Sequence, residues 1–318
     1  MKTEFEFINN IKERFAATRI GDDCAVLPKD DQTDQLITAD LLVEDIDFRL
    51  EWTTPQFLGH KALAVSLSDI AAMGGTPRWA MLTIGVPEHI WNSGFLDDFY
   101  EGWGRLAAQF QVELIGGDVS RTPDKIVIDS IVGGEVPKGK AILRSGARPG
   151  DRIYVTGQLG GAAAGLKLLE SGVRMVDSTE IQKALIERQL RPFPQIEIGR
   201  TLMGANLATS MIDLSDGLSS DLAHICEASG VGAAIDASLL PIDSNPSKLS
   251  ITREDTLDLA LNGGEDFELL FTADPKSVPE LMHAIIHRIG TVTANAGILE
   301  LIRDGKHFEL TPGGYRHF

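Results

Sequence analysis

The chain has 318 residues, which suffices for two domains of ordinary size, and 43% hydrophobic with 24% charged residues is the composition of a folded protein. A formal net charge of −17 disfavours binding to nucleic acid or to an anionic membrane surface, so handling anionic substrates would require cations. Cys24 and Cys226 form no CxxC pair, which argues against a disulfide framework and a thiolate zinc site. With a charged N-terminus and no apolar run near the ~18 residues of a membrane span, we expect a cytoplasmic protein.

In the first half of the chain, apolar runs typical of strands alternate with longer helical patterns. Thr54 followed by Pro55 predicts a helix N-cap with proline in the first turn, and this helix should run to Met73, before Gly74 and Gly75. Further predicted elements are strands at Gln35–Ala39, Leu42–Phe48, Trp79–Val86, Val112–Ile115 and Lys125–Val136 and a helix at Leu96–Phe110.

A segment rich in proline, glycine and basic residues, without periodicity, follows at 136–151 and indicates a domain boundary. We predict an N-terminal domain over residues 1–137 and a C-terminal domain over residues 150–318. The second half should contain strands at Arg152–Thr156, Ala208–Ile212 and Phe267–Thr272, helices ending near Leu169 and Ser229, a helix at Pro279–Ile289 and a C-terminal hairpin. Helices and strands mixed in both halves predict an α/β fold.

Asp69 lies in the segment HKALAVSLSDIAAMGG, which is apolar around nearly its whole circumference and predicts a buried helix. The positions three and four residues away are Val65, Ser66, Ala72 and Met73, so the helix supplies no cation there. A buried ionised carboxylate is costly unless it is paired or bound to metal. A hydrogen bond at a helix end or between helices is the alternative, and we interpret Asp69 as a metal ligand.

Other aspartates share a pattern, because each is expected where an apolar strand meets a turn. They are Asp22 and Asp23 before a strand, Asp40 at a strand end, Asp118 after two glycines, and Asp213 and Asp216 at a strand-to-helix junction. A turn or N-cap role explains any one of them alone. Their recurrence favours a site at strand ends, where α/β proteins bind ligands. Oxygen ligands with little histidine or cysteine select hard cations, Mg²⁺ or Mn²⁺.

Paired glycines occur at Gly116-Gly117, Gly160-Gly161 and Gly263-Gly264. They either permit positive φ in turns or let backbone approach a phosphate. The chain contains neither GxGxxG nor GxxxxGK[ST], which argues against a dinucleotide dehydrogenase and a Walker-type ATPase. His283 and His287 are four residues apart but lack the HExxH pattern, so a solvated helix face is the favoured interpretation. Arg144 either clamps a phosphate or is an ordinary linker charge.

Nine segments together resemble, in order over nearly the whole chain, the thiamine-monophosphate kinase family of the aminoimidazole ribonucleotide synthetase-like ATP-binding superfamily. They are GDDCAV (21–26), TADLLVEDIDF (38–48), HKALAVSLSDIAAMGGTP (60–77), LIGGDVSR (114–121), LRSGARPGD (143–151), YVTGQLGGAAAG (154–165), IDLSDGLSSDL (212–222), GGEDFELLF (263–271) and GGYRHF (313–318). The resemblance implies a two-domain α/β fold with mixed sheets, whose N-terminal domain forms a shared β-barrel in a homodimer. It also implies that ATP binds in a cleft with several Mg²⁺ ions.

The resemblance further implies roles for individual residues. Ligands of Mg²⁺ would be Asp23, Thr38, Asp40, Asp69, Asp118, Asp213 and Asp216. ATP would contact Tyr100, Gly117, Asp118, Arg144 and Ser215. The acceptor, thiamine monophosphate, would contact Asp47, Glu265 and the C-terminal aromatic residues Tyr315 and Phe318. No side chain is expected to form a covalent intermediate.

The chain departs from the family pattern at two places. Where the family has LVEGVHF, this chain reads LVEDIDF, and Asp47 replaces a histidine associated with the acceptor. Where the family has HLRP, this chain reads QLRP, with Gln189 in place of histidine. Every aspartate expected to bind metal is present. The chain therefore differs from the family pattern mainly in residues expected near the acceptor.

The activity implied by the resemblance is transfer of the γ-phosphoryl group of ATP to thiamine monophosphate. A phosphate monoester with a second pKa of about 6 needs no general base near neutral pH. We therefore expect direct in-line transfer assisted by Mg²⁺. Two alternatives stay open, a related ATP-dependent synthetase and a non-enzymatic module that binds nucleotides or cations. A selenide-activating synthetase would need a reactive cysteine in a flexible glycine-rich segment, which Cys24 does not provide.

Overall fold

The computed structural model describes residues 4–249, 251–277 and 285–315. Within these ranges the strands form two mixed sheets, one in each half of the chain, and helices pack against both. The predicted α/β fold with two mixed sheets is therefore confirmed. No helix of the described ranges is long and apolar enough to cross a membrane.

The first sheet has the order β1-β2-β5-β3-β4. Its strands are β1 Ala25–Pro28, β2 Thr33–Val43, β3 Thr76–Val86, β4 Glu113–Arg121 and β5 Val127–Pro137, and the accompanying helices are α1 Glu4–Phe15, α2 Pro55–Ala72, α3 Glu88–Trp91 and α4 Phe95–Phe110. All neighbouring pairs are antiparallel except β3 and β4, which run parallel. Strand β4 is an edge strand, and every one of its residues is exposed.

Helix α2 is the buried helix that the sequence predicts. Thr54 is its N-cap, with φ −103° and a side chain that accepts a hydrogen bond from the backbone of Phe57, and Pro55 occupies the first turn. Helix α4 crosses it in backbone contact, since a Cβ atom on Gly59 would lie 2.0 Å from the carbonyl oxygen of Phe99. This close approach explains why α2 carries glycine at that position.

The second sheet has the order β12-β11-β8-β10-β6-β9-β7. Its strands are β6 Arg152–Thr156, β7 Ser210–Asp213, β8 Gly232–Asp236, β9 Leu269–Ala273, β10 Ile286–Thr293, β11 Leu299–Arg303 and β12 Lys306–Glu309. The helices are α5 Gly161–Glu170, α6 Glu180–Leu190, α7 Ile196–Gly204, α8 Leu218–Ser229, α9 Asn245–Lys248 and α10 Arg253–Asn262, with a short 3₁₀ helix at Met175–Asp177. Strand β7 forms one edge, and its last residue is Asp213.

Three strand predictions in the first half are wrong. The predicted strand Leu42–Phe48 is not formed as such, because β2 runs without interruption from Thr33 to Val43 and residues 45–47 form a turn. Strand β2 continues through Asp40, which pairs with Ser130, because β5 matches β2 along its whole length. Strand β4 likewise continues through Gly117 and Asp118, because these residues pair in parallel with Leu82 and Thr83 of β3. Asp40 and Asp118 therefore lie inside strands and not in the turns expected for them.

The predicted helix Pro279–Ile289 is wrong over its last residues, since 286–289 begin strand β10; residues 279–284 lie outside the described ranges. This strand pairs with both β6 and β8, so neighbours on two sides determine its conformation, and His287 lies in it. The predicted C-terminal hairpin is confirmed by the antiparallel pairing of β11 with β12.

Candidate active site

Three carboxylates from distant parts of the sequence meet between the two sheets. Asp23 precedes β1, Asp69 lies in the last turn of α2, and Asp213 ends β7. One oxygen of each lies within 4.8 Å of the others. Asp23 and Asp213 are buried and Asp69 is half-buried. The elements that carry them belong to both halves of the chain, so this group of three, the acidic cluster, forms only in the folded protein.

Burial makes the acidic cluster electrostatically unfavourable by itself. Burial raises the pKa of Asp213 to about 8, and the charge of Asp23 adds to this effect. Burial, followed by the charges of Asp40 and Asp213, raises the pKa of Asp69 well above its usual value. Burial also raises the pKa of Asp23, although the neighbouring Arg144 opposes the shift. Close carboxylates out of water require protons or a cation to be stable together.

The donor atoms of the acidic cluster fit a hard divalent cation. The Oδ2 atoms of Asp23 and Asp213 are buried and have no hydrogen-bond partner among the described residues. Buried oxygens of this kind are costly unless a ligand satisfies them. All three donors are carboxylates, the ligands that Mg²⁺ prefers. Thr38 lies beside them, because its hydroxyl donates to Asp69 Oδ2.

Asp40 extends the acidic cluster toward a neighbouring cavity. Its Oδ2 atom accepts a hydrogen bond of 2.6 Å from the hydroxyl of Ser66 on α2. Burial raises its pKa to about 6, and the charge of Asp23 contributes to the shift. Because Asp40 also lines the cavity, a group bound there would lie next to the acidic cluster.

Arg144 joins the linker between the domains to the acidic cluster. Its Nε and Nη2 atoms lie 3.2 Å and 2.5 Å from Asp23 Oδ1. Its backbone N–H donates to Asp22 Oδ1 at 2.8 Å. The guanidinium is therefore a fixed positive charge at the edge of the acidic cluster. Arginine in such a position is well placed to contact phosphate.

A cavity of about 300 Å³ lies between the two halves of the chain, next to Asp40. Its apolar lining is Leu41, Leu42, Ile46, Phe48, Trp52, Leu58, Val65, Ala163, Leu166, Leu190, Phe267 and Tyr315. Its charged lining is Asp40, Asp47, Arg49, Lys61, Asp216 and Glu265. Apolar walls with a few convergent polar groups are typical of small-molecule sites. The cavity suits a flat ring with a charged end.

Glu265 is held on the wall of this cavity by an unusual turn. Its φ is 65° and that of Phe267 is 49°, a left-handed conformation that is uncommon in residues other than glycine. The backbone N–H of Glu265 donates to the carbonyl of Ser215 at 2.8 Å, and that of Phe267 donates to Leu214 at 2.9 Å. The side chain accepts from Lys61 at 2.7 Å and from Gln189.

The remaining sequence-predicted residues divide into three groups. Asp47, Ser215, Asp216 and Tyr315 line the cavity. Tyr100 lies half-buried on α4 with its ring edge-on to Phe99, and Gly117 and Asp118 lie on the exposed strand β4, outside the acidic cluster. Phe318 lies outside the described residues.

Several polar residues of the site were not singled out from the sequence. Lys61 is almost fully buried on α2. Its position within the apolar segment HKALAV could have identified it as a buried charge from the sequence. Ser66 is fully buried and bonded to Asp40, and serines in such a helix carry no distinctive pattern. A second group, Asp216 with Asp221 and His224, also brings its donor atoms within 4.8 Å of one another.

Comparisons with known proteins give consistent matches along the chain. The family described as AIR synthase related protein, N-terminal domain matches residues 21–136, and its C-terminal domain counterpart matches residues 148–301. Thiamine-monophosphate kinase of Escherichia coli (strain K12) is 41% identical over 329 residues, covering 99% of this chain and 98% of that protein. The enzyme of the same name from Bacillus subtilis (strain 168) is 37% identical over 327 residues, covering 99% of each.

Solved structures agree. A structure of AaThiL complexed with AMPPCP and TMP is 32% identical with a TM-score of 0.89, covering 99% of this chain and 97% of that one. Thiamine-monophosphate kinase from Stenotrophomonas maltophilia K279a is 35% identical with a TM-score of 0.80, covering 96% and 98% of the two chains.

Proposed function

The chain belongs to the thiamine-monophosphate kinases, phosphotransferases of the AIR synthase related family, and we propose that it phosphorylates thiamine monophosphate with ATP, giving thiamine diphosphate and ADP. The observation that carries this proposal is the acidic cluster beside a cavity with apolar walls and charged ends. The acidic cluster suits the phosphates once it holds Mg²⁺, and the cavity suits the thiamine rings.

The reaction requires two polyanions to approach each other. An oxygen of the acceptor phosphate attacks the γ-phosphorus, the bond from that phosphorus to the bridging oxygen breaks, and ADP leaves. The acceptor phosphate is largely dianionic at neutral pH because its second pKa is about 6, so no side chain has to remove a proton.

Asp23, Asp69 and Asp213 are the residues proposed to hold Mg²⁺, with Thr38, Asp40, Asp118 and Asp216 as further ligands. Bound Mg²⁺ supplies charge neutralisation and in-line alignment of the phosphates. The hydroxyl of Thr38 orients Asp69, and that of Ser66 orients Asp40. Oriented carboxylates lose less conformational freedom when a cation binds.

Arg144, Tyr100, Gly117 and Ser215 are proposed to contact ATP, together with Asp118. The support for Arg144 is its fixed position at the acidic cluster. Gly117 has φ 152°, and a Cβ atom there would lie 1.9 Å from the carbonyl oxygen of Leu82. Close pairing with strand β3 therefore leaves no room for a side chain at this position, and its contact with ATP rests on the family resemblance.

We further propose a homodimer through β4, with the shared barrel that the family resemblance implies. Support comes from the edge strand itself, where Leu114, Ile115 and Val119 are 42%, 51% and 48% exposed. An exposed apolar edge strand is a liability in a monomer and is usually covered. The proposed domains, 1–137 and 150–318, are consistent with β5 ending at Pro137 and β6 beginning at Arg152.

The deciding experiment mixes the protein with ATP, Mg²⁺ and thiamine monophosphate and follows ADP and thiamine diphosphate together. We expect one ADP for each thiamine diphosphate formed and little ADP without the acceptor. ADP without thiamine diphosphate would favour a synthetase of the same superfamily. No ADP under any of these conditions would favour a binding module and contradict the proposal.

A further inference from the structure

One end of the side-chain amide of Gln189 has a hydrogen-bond partner, and the other end has none among the described residues. Its side chain lies on α6 at the wall of the cavity, and the residue is 4% exposed. Its Nε2 donates to a carboxylate oxygen of Glu265. Its Oε1 is buried and has no hydrogen-bond partner among the described residues. A buried carbonyl oxygen without a donor is costly, so a group from a ligand is expected to satisfy it.

The orientation of this amide is determined by its neighbour. Turning the amide over would place Oε1 against the carboxylate of Glu265, where two acceptors would face each other. Glu265 itself cannot turn away easily, because Lys61 holds its other oxygen at 2.7 Å and its backbone is bonded to Ser215. The unsatisfied atom of Gln189 is therefore the acceptor.

A ligand that satisfies Gln189 must present a donor on a flat, largely apolar body. Phe48, Trp52 and Leu190 contribute to the apolar walls of the cavity that Gln189 lines. An aromatic ring with an amino group next to a ring nitrogen meets this requirement, because the amino group donates and the nitrogen accepts. Glutamine pairs with that pattern through both ends of its amide, as it does with adenine. The second Nε2 hydrogen of Gln189 remains available for the ring nitrogen.

We propose that Gln189 is a specificity-determining residue that reads the amino group of the acceptor's aminopyrimidine ring through Oε1. This inference rests on the proposed function, because it takes thiamine monophosphate as the acceptor. Lys61 and Glu265 position the amide, and Gln189 distinguishes an amino group from an oxygen at that ring position. An oxo group would set one acceptor against another, and sites built around a buried polar group reject such analogues strongly.

The test compares two acceptors, thiamine monophosphate and its analogue with an oxo group in place of the pyrimidine amino group. For the wild-type protein we expect kcat/KM to be about tenfold to hundredfold higher with the amino compound, as a buried hydrogen bond predicts. In Gln189→Met, which keeps the length and removes the amide, kcat/KM for the amino compound should fall by about that factor. In the same variant, kcat/KM for the oxo analogue should change less than about threefold. The ratio of the kcat/KM values for the two acceptors should therefore approach one.

Two further variants make the result specific. Gln189→His retains one donor and one acceptor nitrogen and should keep most of the discrimination. Gln109→Met, on the exposed face of α4, is the matched control and should match the wild-type protein. Melting temperatures of all variants verify folding, and if Gln189→Met fails to fold, Gln189→Leu, which also lacks a hydrogen-bonding group, replaces it with the same expected loss of discrimination.

The possible failures are distinguishable. A wild-type protein that forms no thiamine diphosphate overturns the proposed function, and this inference falls with it. Normal wild-type turnover without discrimination between the two acceptors overturns the role of Gln189 alone. Equal losses for both acceptors in Gln189→Met also overturn it, because they would mean that Gln189 only supports Glu265.

Discussion

The Nζ atom of Lys61 lies 2.7 Å from a carboxylate oxygen of Glu265, and this ion pair joins a helix of the first half of the chain to a turn of the second. Lys61 is 3% exposed, whereas Glu265 is 29% exposed at the cavity wall. A buried lysine is favourable only with a partner, so the pair fixes the position of Glu265 and links the two halves across the cavity.

Lys61→Met should therefore weaken acceptor binding more than it slows the reaction. We expect KM for thiamine monophosphate to rise about tenfold and kcat to stay within a few-fold, because Glu265 loses one of two contacts that orient it. Steady-state kinetics with the acceptor varied at saturating ATP measures this split. A fall in kcat at constant KM would contradict it.

The same pair makes a prediction about stability. Glu265→Gln alone leaves a buried ammonium without its counter-ion and should destabilise the protein, whereas Lys61→Met/Glu265→Gln should regain part of that loss. Urea unfolding of the two single variants and the double variant gives the coupling free energy, expected at about 1–3 kcal/mol. Additive effects would show that the two side chains do not interact in solution.

Asp69→Asn should abolish phosphoryl transfer and leave the fold intact. The substitution keeps the shape, and it removes one negative charge from a group in which three carboxylates lie within 4.8 Å. Without Mg²⁺ the variant should be at least as stable as the wild-type protein, because carboxylate repulsion falls. With Mg²⁺ only the wild-type melting temperature should rise strongly. Turnover near the wild-type rate with unchanged Mg²⁺ dependence would disprove the role of Asp69 as a ligand.

The sequence predicts some residues of the candidate site and not others, depending on whether local sequence or pairing with a neighbouring strand determines their position. Asp69 was predictable because the helix around it is apolar on all sides, and Asp213 because a short buried strand precedes it. Asp40 and Asp118 were placed at strand ends wrongly, because the length of β2 and β4 depends on pairing with β5 and β3. Periodicity in one segment contains no information about how far its neighbours extend.

The Lys61–Glu265 pair shows a second limit. The two residues lie in different halves of the chain, and the sequence around neither of them indicates that the other is its partner. Their contact follows from packing α2 against the second half, with backbone contact at Gly199, where an added Cβ would lie 2.1 Å from the carbonyl of Ala71. Local sequence predicts the elements, whereas the charges that meet between them depend on this packing.

Glu268 provides a prediction about pH. It is 8% exposed, it accepts a 2.6 Å hydrogen bond from Thr156, and burial raises its pKa from 4.5 to about 7, with Arg188 opposing and Asp266 adding to the shift. The pKa of Glu268 is higher in the folded than in the unfolded protein. The contribution of Glu268 to the free energy of unfolding is therefore complete below pH 4.5 and is lost as the pH rises through about 7. The loss is about 3 kcal/mol at most.

Glu268→Gln removes this titration and retains an oxygen for Thr156. The difference in unfolding free energy between the variant and the wild-type protein should shift in favour of the variant from pH 5 to pH 8. Urea unfolding at both pH values measures the difference, and titrations common to both proteins cancel. A difference independent of pH would show that Glu268 does not titrate in this range.

The proposed homodimer predicts a mass of twice 34.4 kDa by light scattering at micromolar concentration. Ile115→Glu places a charge on the exposed edge of β4 and should yield monomers. Val176→Glu is the matched control, because Val176 is 86% exposed in the C-terminal half and the substitution should leave the mass unchanged. A wild-type monomer throughout this range would contradict the shared barrel.

Asp47 is one of two residues on the cavity wall, with Gln189, at which the chain departs from the family pattern. Its Oδ2 accepts a 2.7 Å hydrogen bond from the backbone of Val43, so one oxygen serves the local turn. An ionised aspartate only accepts hydrogen bonds, and it would repel the acceptor phosphate. We therefore expect the carboxylate to face the cationic thiazolium ring. Asp47→His should raise KM for thiamine monophosphate and leave kcat within a few-fold, the pattern of a contact made equally in ground and transition states.

The kinetic constants distinguish this role of Asp47 from two others. A collapse of kcat at constant KM would mean that Asp47 acts in the transition state, as a further metal ligand would. If Asp47→His changes neither kcat nor KM, the carboxylate of Asp47 lies outside the acceptor site. Asp31→His, in the exposed turn between β1 and β2, is the control for adding a histidine and removing a charge. Because the change replaces a negative charge by a neutral or positive group, the rise in KM should be larger at pH 6, where the imidazole is more often protonated, than at pH 8.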